Sequence, residues 1–322
     1  MRSVIGIDMG GTKCAVIHGK IGSEGIEIVN KVKFPTGIDM APSAVLDKII
    51  ASIRELGADD AEAIGISCGG PLDSESGTIL CPPNLPLWDN IHICDILSAE
   101  FGIPAYLQND ADACALAEWQ FGAGRGSNNM IFMTFGTGLG AGLILGGRLY
   151  TGQNGMAGEL GHIRLTDFGP SGYGKSGSFE GFCSGRGIAQ IGYTMGMEAF
   201  QQGKKPAYFD PDDISSCTAK TIADAADAGD PTALAVYAKC GEYLGRGLSV
   251  IIDILNPERI VIGSIFARSR ELIWPAAKGV IERETLARSS SVCEVVPAGL
   301  GEKIGDFAAV AVAVYNGGKH NA

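Results

Sequence analysis

A chain of 322 residues is long for one average domain and suits two, each able to bury a core of its own. With 46% hydrophobic and 19% charged residues, its composition is that of an ordinary soluble globular protein and excludes a disordered or fibrous one. A net charge of −11 without any basic run argues against a nucleic-acid partner, because phosphate backbones are held by clustered Lys and Arg. The start, MRSVIGIDMGGTK, enters a strand pattern at once and leaves no room for a secretory leader. No apolar run has the length of a membrane span, so a cytoplasmic protein with no membrane partner is expected. Nine cysteines at irregular intervals fit a reducing compartment, and most are expected to be small buried hydrophobes. The 47 glycines imply many tight turns or backbone surfaces that approach a ligand closely.

Val4 to Asp8 and Cys14 to His18 read as short buried strands joined through Gly10-Gly11, and residues 26–33 alternate as a third strand. Pro42 to Leu56 has helical spacing, with Gly57 as its stop. Ala61 to Ser67 is a strand running into the loop Cys68-Gly69-Gly70-Pro71. A helix over Ile93 to Phe101, a strand over Ala105 to Gln108 and a helix from Ala111 to Trp119 follow. The order then restarts. Met130 to Phe135 is a strand ending in glycines, Ala141 to Leu145 returns from it, and Arg148 to Thr151 follows the Gly146-Gly147 turn. IDMGGTKCAVI and TFGTGLGAGLIL are thus the same strand, glycine turn, strand unit used twice, about 126 residues apart. An apolar-periodic segment from Ala233 to Leu255, a strand at Arg259 to Gly263, a helix near Leu272 to Thr285, a strand at Val292 to Val296 and a last helix from Ile304 to Tyr315 complete the chain. Two α/β halves are expected to face each other across a ligand cleft. Their expected bounds are 1–118 and 119–303, with the helix at 304–316 packing back on the first.

Four motifs carry chemistry. Asp8-x-Gly10-Gly11-Thr12-Lys13 offers a turn whose backbone N–H groups can approach a phosphate, a hydroxyl donor in Thr12 and a carboxylate in Asp8 able to hold a metal ion. A plain hairpin turn would use the same glycines. Gly136-Thr137-Gly138-x-Gly140-x-Gly142 is a second such turn, and the strand after it excludes the dinucleotide-binding loop, which opens a helix. Asn109-Asp110 stands between a strand and a helix. It can be an N-cap, or place Asp110 to accept the proton of a hydroxyl attacking a γ-phosphate, and one dipeptide can do both. Glu159-x-Gly161-His162 pairs an acceptor and a donor suited to neighbouring sugar hydroxyls, or is a surface loop.

In this order these motifs resemble the ROK family (repressors, open reading frames, kinases). Gly69-Gly70-Pro71-x-Asp73, Gly77 with Pro83-Asn84-Leu85, and Ile260-Val261-Ile262-Gly263-Ser264 extend the resemblance over nearly the whole chain. It implies an α/β fold of two actin-like, ribonuclease H-like domains across a nucleotide and sugar cleft, and an ATP-dependent kinase acting on a hexose or N-acetylhexosamine, with C6 of glucose as first choice. Asp110 is then the catalytic base. The sugar is expected at Gly69, Gly70, Pro71, Asn84, Asn109, Asp110, Glu159, His162 and Glu180. ATP is expected at Asp8, Gly10, Gly11, Thr12, Lys13, Gly136, Thr137, Gly138, Gly263 and Ser264, with Mg²⁺ at Asp8. A homodimer is a further implication of the resemblance.

The chain departs from the family where its kinases carry Cys-x-Cys-Gly-x-x-Gly-Cys-x-Glu. Here Ser171, Tyr173 and Ser178 replace the three cysteines while Glu180 is kept. Ser and Tyr are poor zinc ligands, so no structural zinc is expected, and His162 is left for the sugar. The family's repressors carry an N-terminal winged helix-turn-helix, which is not expected here because the phosphate motif begins at residue 8. A non-catalytic sugar sensor of the same family is the alternative, and would be expected to lose Asp110 or Glu159.

Overall fold

Val4, Ile5, Ile7 and Met9 form a nearly unbroken apolar run, which suits a strand covered on both faces. In the computed structural model, which describes residues 1–22 and 25–319, that run becomes β1 (Arg2–Met9). Around it lie β2 (Lys13–Gly22), β3 (Gly25–Pro35), β4 (Ala61–Cys68) and β5 (Ala105–Asn109), in the order β3-β2-β1-β4-β5. The first three strands are antiparallel neighbours, and β4 and β5 run parallel to β1. One face of the sheet packs Ile5, Ile7 and Val16 against α1 (Pro42–Leu56) and α2 (Ile93–Phe101). Gly57 ends α1 in the left-handed region at φ 60°, its N–H returning to the Arg54 carbonyl.

The chain from Asn109 continues into α3 (Asp110–Phe121). Later helices are α4 (Gly185–Gln201), α5 (Ala219–Asp227), α6 (Pro231–Leu255), α7 (Arg270–Glu284) and α8 (Ile304–Lys319). The other face of the first sheet is covered by α8, where Ala309, Val310 and Ala313 meet Val4, Ala15, Ile17 and Ala63. Gly65 makes this closeness possible, since a Cβ there would lie 2.2 Å from the Ala309 carbonyl oxygen.

The second sheet is built from β6 (Met130–Met133), β7 (Ala141–Leu145), β8 (Arg148–Tyr150), β9 (Arg259–Ile262) and β10 (Glu294–Pro297). Its order, β8-β7-β6-β9-β10, repeats that of the first sheet position for position. The internal repeat legible in the glycine turns therefore extends to the whole strand order.

Two helices carry no clear signal in the sequence. GRGIAQIGYTMGMEAF is weakened as a helix by its glycines, yet α4 forms, with Ser184 accepting the Gly187 N–H as its N-cap. Those glycines serve close packing: a Cβ on Gly187 would lie 2.0 Å from the Gly181 carbonyl oxygen. The nine-residue α5 is fixed by a Thr218–Thr221 capping box. By its contacts the chain divides into unit 1, Met1–Ser127 with Gly142–Ala157 and Gly299–Ala322, and unit 2, Asn128–Ala141 with Gly158–Ala298. All nine cysteines are free thiols, and only Cys81 is exposed. No helix among the described residues is long and apolar enough to cross a membrane.

Candidate active site

In unit 1 the strand registers align the residues of interest. Asp8 pairs with Ser67, Ser67 with Gln108, and Cys68 with Asn109, so Asp8, the Gly69-Gly70-Pro71 loop and Asn109-Asp110 all emerge at the carboxyl ends of β1, β4 and β5. That edge is where open α/β sheets bind ligands. The β1–β2 turn is closed by the Gly10 N–H on the Lys13 carbonyl, at 3.0 Å. Thr36 staples it from outside, its hydroxyl donating to the Gly10 carbonyl at 2.7 Å and its N–H to that of Thr12 at 3.1 Å.

Asn84 sits in a tight turn closed by the Leu85 N–H on the Pro82 carbonyl at 2.8 Å, and buried Leu85 and Trp88 anchor the loop. A Cβ built on Gly69 would lie 3.7 Å from both polar atoms of the Asn84 amide, and one on Gly70 would lie 3.2 Å from Asn109 Nδ2. The two asparagine amides thus share one patch with three side-chain-free residues, Gly11, Gly69 and Gly70.

Asn109 is the N-cap of α3, its Oδ1 accepting the Ala111 N–H at 2.9 Å, and Asp110 Oδ1 accepts the same N–H at 2.8 Å. Capping and a place at the strand edge coexist in this dipeptide. A helix N-terminus is also a favourable position for a negative charge. Burial, and then the neighbouring Asp306 carboxylate, push the Asp8 carboxyl above its ordinary value, against the opposing pull of Lys13, Lys31 and Lys33. Asp306 is itself ion-paired with Lys31.

Unit 2 holds the second glycine turn. The Gly136 N–H donates to the Gly138 carbonyl at 3.1 Å, and Thr134 clasps Gly140 through both its N–H and its hydroxyl oxygen. Glu180 reaches this turn, Oε2 accepting the Leu139 N–H at 3.0 Å. Beside it Gly263 donates to the Met133 carbonyl, and Ser264 adopts φ 55°, which turns the chain under Gly136 and into a short helix. A cavity of about 880 Å³ opens there, lined by Gly136, Thr137 and Ser264 together with Arg186, Lys220 and Arg268. The last three were not legible as site residues, because they stand on or beside helices that lack a sequence signature.

Glu159 and His162 bracket a single 3₁₀ turn, Leu160–His162, and both are exposed. The stretch after them is a two-residue hairpin, with Ser171 opposite Ser176 and with Tyr173 and Gly174 at φ 43° and 75°. Lys175 Nζ donates to the His162 carbonyl at 2.7 Å, and the Tyr173 ring meets the His162 ring edge-on, centroids 6.4 Å apart. Ser171 is bonded through its backbone to the Gln190 amide in both directions, and Ser178 caps the next helical turn by accepting the Gly181 N–H. No group of three or more His, Cys, Asp or Glu able to hold a metal ion occurs among the described residues.

The expected site residues therefore fall into two sets. Asp8, Gly10, Gly11, Thr12, Lys13, Gly69, Gly70, Pro71, Asn84, Asn109 and Asp110 lie in unit 1, and Gly136, Thr137, Gly138, Glu159, His162, Glu180, Gly263 and Ser264 in unit 2.

Residues 4–314 match the family model described as the ROK family. The chain belongs to the ROK family. Over 311 residues it is 31% identical to a glucokinase of Thermotoga maritima, covering 96% of each chain. A glucokinase structure from Streptomyces griseus, in complex with glucose and AMPPNP, is 30% identical over 97% of this chain and 99% of that one, with a TM-score of 0.75. The two-domain, actin-like α/β class expected from the motifs is thus the fold of this ROK chain. Repressors are similar too: a xylose repressor of Caldicellulosiruptor bescii is 30% identical over 88% of this chain and 71% of its own.

Proposed function

We propose that the protein is an ATP-dependent sugar kinase that phosphorylates a hexose or N-acetylhexosamine, with the C6 hydroxyl of glucose as its first candidate. The observation that carries this reading is the single strand-end edge of unit 1. There a carboxylate at a helix start, Asp110, stands with Asn84 and Asn109 amides and with the Asp8 glycine turn. Similarity to glucokinases along nearly the whole chain supports it.

In this mechanism Asn84 and Asn109 hold sugar hydroxyls against Gly69 and Gly70, where no side chain intervenes. Asp110 accepts the proton of the attacking hydroxyl as it adds to the γ-phosphorus and the bond to the ADP oxygen breaks. The N–H groups of the Asp8 glycine turn, with the Thr12 hydroxyl, are suited to the charge that develops on the transferred group, and the Gly136 turn with the Thr137 hydroxyl to a nucleotide phosphate. In unit 2 the cavity beside Ser264 takes the adenosine, and Glu159, His162 and Glu180 contribute to the sugar. Asp8 fits a role toward Mg²⁺, since a buried carboxyl beside a second carboxylate favours a divalent cation. When bound, the ion would supply charge neutralisation for the nucleotide's phosphates.

The hairpin that replaces the family's zinc segment offers no thiolate, and the Ser178 hydroxyl after it is engaged with the Gly181 N–H. A structural zinc is therefore no part of this proposal. A second reading, a sugar-responsive regulator without turnover, is favoured by the similarity to a xylose repressor.

The deciding experiment is ADP release measured over glucose, fructose, N-acetylglucosamine, N-acetylmannosamine and allose, for the wild type and Asp110→Asn. Turnover on at least one sugar is expected, with Asp110→Asn losing it by at least about a hundredfold while still binding that sugar. Binding without turnover in the wild type would establish the regulator instead.

A further inference from the structure

Glu118 lies on α3, eight residues beyond Asp110, and is fully buried. A buried carboxylate requires strong partners, since desolvation otherwise drives it out of its charged form. Here the partners are three backbone N–H groups. Oε2 accepts from Ala123 at 2.7 Å and from Gly299 at 3.0 Å, and Oε1 accepts from Leu300 at 2.9 Å. The backbone packs closely around it. A Cβ on Gly122 would lie 2.1 Å from Glu118 Oε2, and one on Gly299 would lie 2.9 Å from the Ala123 nitrogen.

Both ends of this junction lead to the candidate chemistry. Through α3 it leads back to Asn109-Asp110 at the helix start. Through Gly299-Leu300 it leads into the short turn before α8, whose Gly305 stands against Asp8, a Cβ there lying 3.0 Å from Asp8 Oδ2. Further along, α8 packs on α3, and Trp119 and Tyr315 meet edge-on with centroids 6.2 Å apart. Glu118 is thus the covered bond between the helix that carries the proposed base and the segment that sets down beside the proposed cation ligand. All of these residues belong to unit 1.

We infer that Glu118 is a positioning residue of the phosphoryl transfer: it fixes Asp110 relative to Asp8 without touching either the sugar or ATP. The inference rests on the kinase reading above. Phosphoryl transfer depends on placing the attacking oxygen, base and phosphate in near-attack geometry, where a displacement of about 1 Å can lower the rate about a hundredfold. Sugar binding, held by Asn84, Asn109 and the glycine patch, does not require that spacing.

The test is Glu118→Gln, which keeps the side chain's shape but presents an amide NH₂ to a site furnished with N–H donors, so at least one bond is lost. Steady-state kinetics and a separate sugar-binding titration are run at a temperature where circular dichroism shows the variant folded. The expected result is a kcat lowered about tenfold or more, with the sugar dissociation constant within about twofold of wild type. A purely structural Glu118 would lower the melting temperature and leave kcat unchanged in the folded protein, and that result overturns the inference.

Leu300→Pro is the second variant. Leu300 has φ −85°, close to proline's range, and the substitution removes the N–H donated to Oε1 along with the half-buried leucine side chain. A smaller loss of kcat with sugar affinity kept is expected from it, and unchanged kcat again overturns the inference. A wild type inactive on every sugar removes the kinase reading itself, whereas an active wild type matched by both variants removes only the role of Glu118.

Discussion

Gly11 and Asn84 are in such close approach that a Cβ on the glycine would lie 2.7 Å from both the Asn84 Cβ and the Asn84 carbonyl oxygen. The proposed phosphate turn and a proposed sugar ligand therefore rest on one another. Gly11→Ala must push one of them aside. It is expected to destabilise unit 1 by about 1–3 kcal/mol, the usual effect of overpacking, and to raise the KM of ATP and sugar together. Gly10→Ala, in the same turn, shows how much of the effect comes from the Asn84 contact, because a Cβ there meets the Lys13 carbonyl oxygen at 3.2 Å and nothing of Asn84. Thermal melts and two-substrate kinetics decide it: a Gly11→Ala protein with wild-type KM values would dissolve the link between turn and ligand.

Asp8 carries a prediction about stability. Its carboxyl is raised by burial and then by Asp306, so the folded protein holds the proton more tightly than the unfolded chain does. A raised carboxyl contributes stability below its unfolded value, and that contribution is lost as pH rises through its folded value. Above the ordinary carboxylate range Asp8 is therefore a net burden on the fold in the absence of a cation. Asp8→Asn is expected to melt higher than wild type at pH 7, with the gain shrinking as pH is lowered toward the ordinary carboxylate range, and to lose turnover. A lower melting temperature for Asp8→Asn at pH 7 would contradict this balance.

Much of this was legible in the sequence because local chemistry dictated it. Two glycine turns between apolar runs led to two hairpins, and α1 starts and stops at Pro42 and Gly57 as written. Asn109 was readable both as a cap and as a strand-end residue, and the structure uses it as both. What stayed hidden depends on packing. The glycines that make α4 look non-helical are there to admit the Gly181 backbone and the Phe209 ring. Lys175 carries no motif, since its partner is a backbone carbonyl thirteen residues away. Glu118 left one trace, a lone charge amid Ala-Leu-Ala and Trp119, but its three N–H partners come from loops that only the fold assembles.

The hairpin at 171–176 stands where the family's kinases carry zinc cysteines, and it is held to the proposed sugar segment by Lys175 on the His162 carbonyl. Lys175→Met removes that donor and keeps the stem. A hydrogen bond of this kind contributes about 0.5–1.5 kcal/mol, which corresponds to roughly a two- to tenfold rise in sugar KM with the KM of ATP unchanged. Arginine at 175 keeps a donor and is expected to restore much of the sugar affinity. Equal effects of Lys175→Met on both substrates would show that the hairpin supports unit 2 generally rather than His162.

Glu180 is the residue through which both substrates of unit 2 should be felt. The resemblance assigned it to the sugar, yet its Oε2 accepts the Leu139 N–H inside the proposed phosphate turn, and a Cβ on Gly138 would lie 2.8 Å from the same oxygen. Gly161 and Gly172 also pack on its Cβ, so the glycine turn, the Glu159 to His162 segment and the hairpin all converge on one side chain. Glu180→Ala frees the turn and the sugar segment together and is expected to raise both KM values. Glu180→Gln keeps an acceptor for the Leu139 N–H, so the KM of ATP should stay near wild type while the sugar KM rises with the loss of the charged acceptor. Asn84→Ala, in unit 1, should affect the sugar alone. If Glu180→Ala and Asn84→Ala gave the same pattern, Glu180 would be only a sugar ligand, and its bond to the turn would have no consequence for ATP.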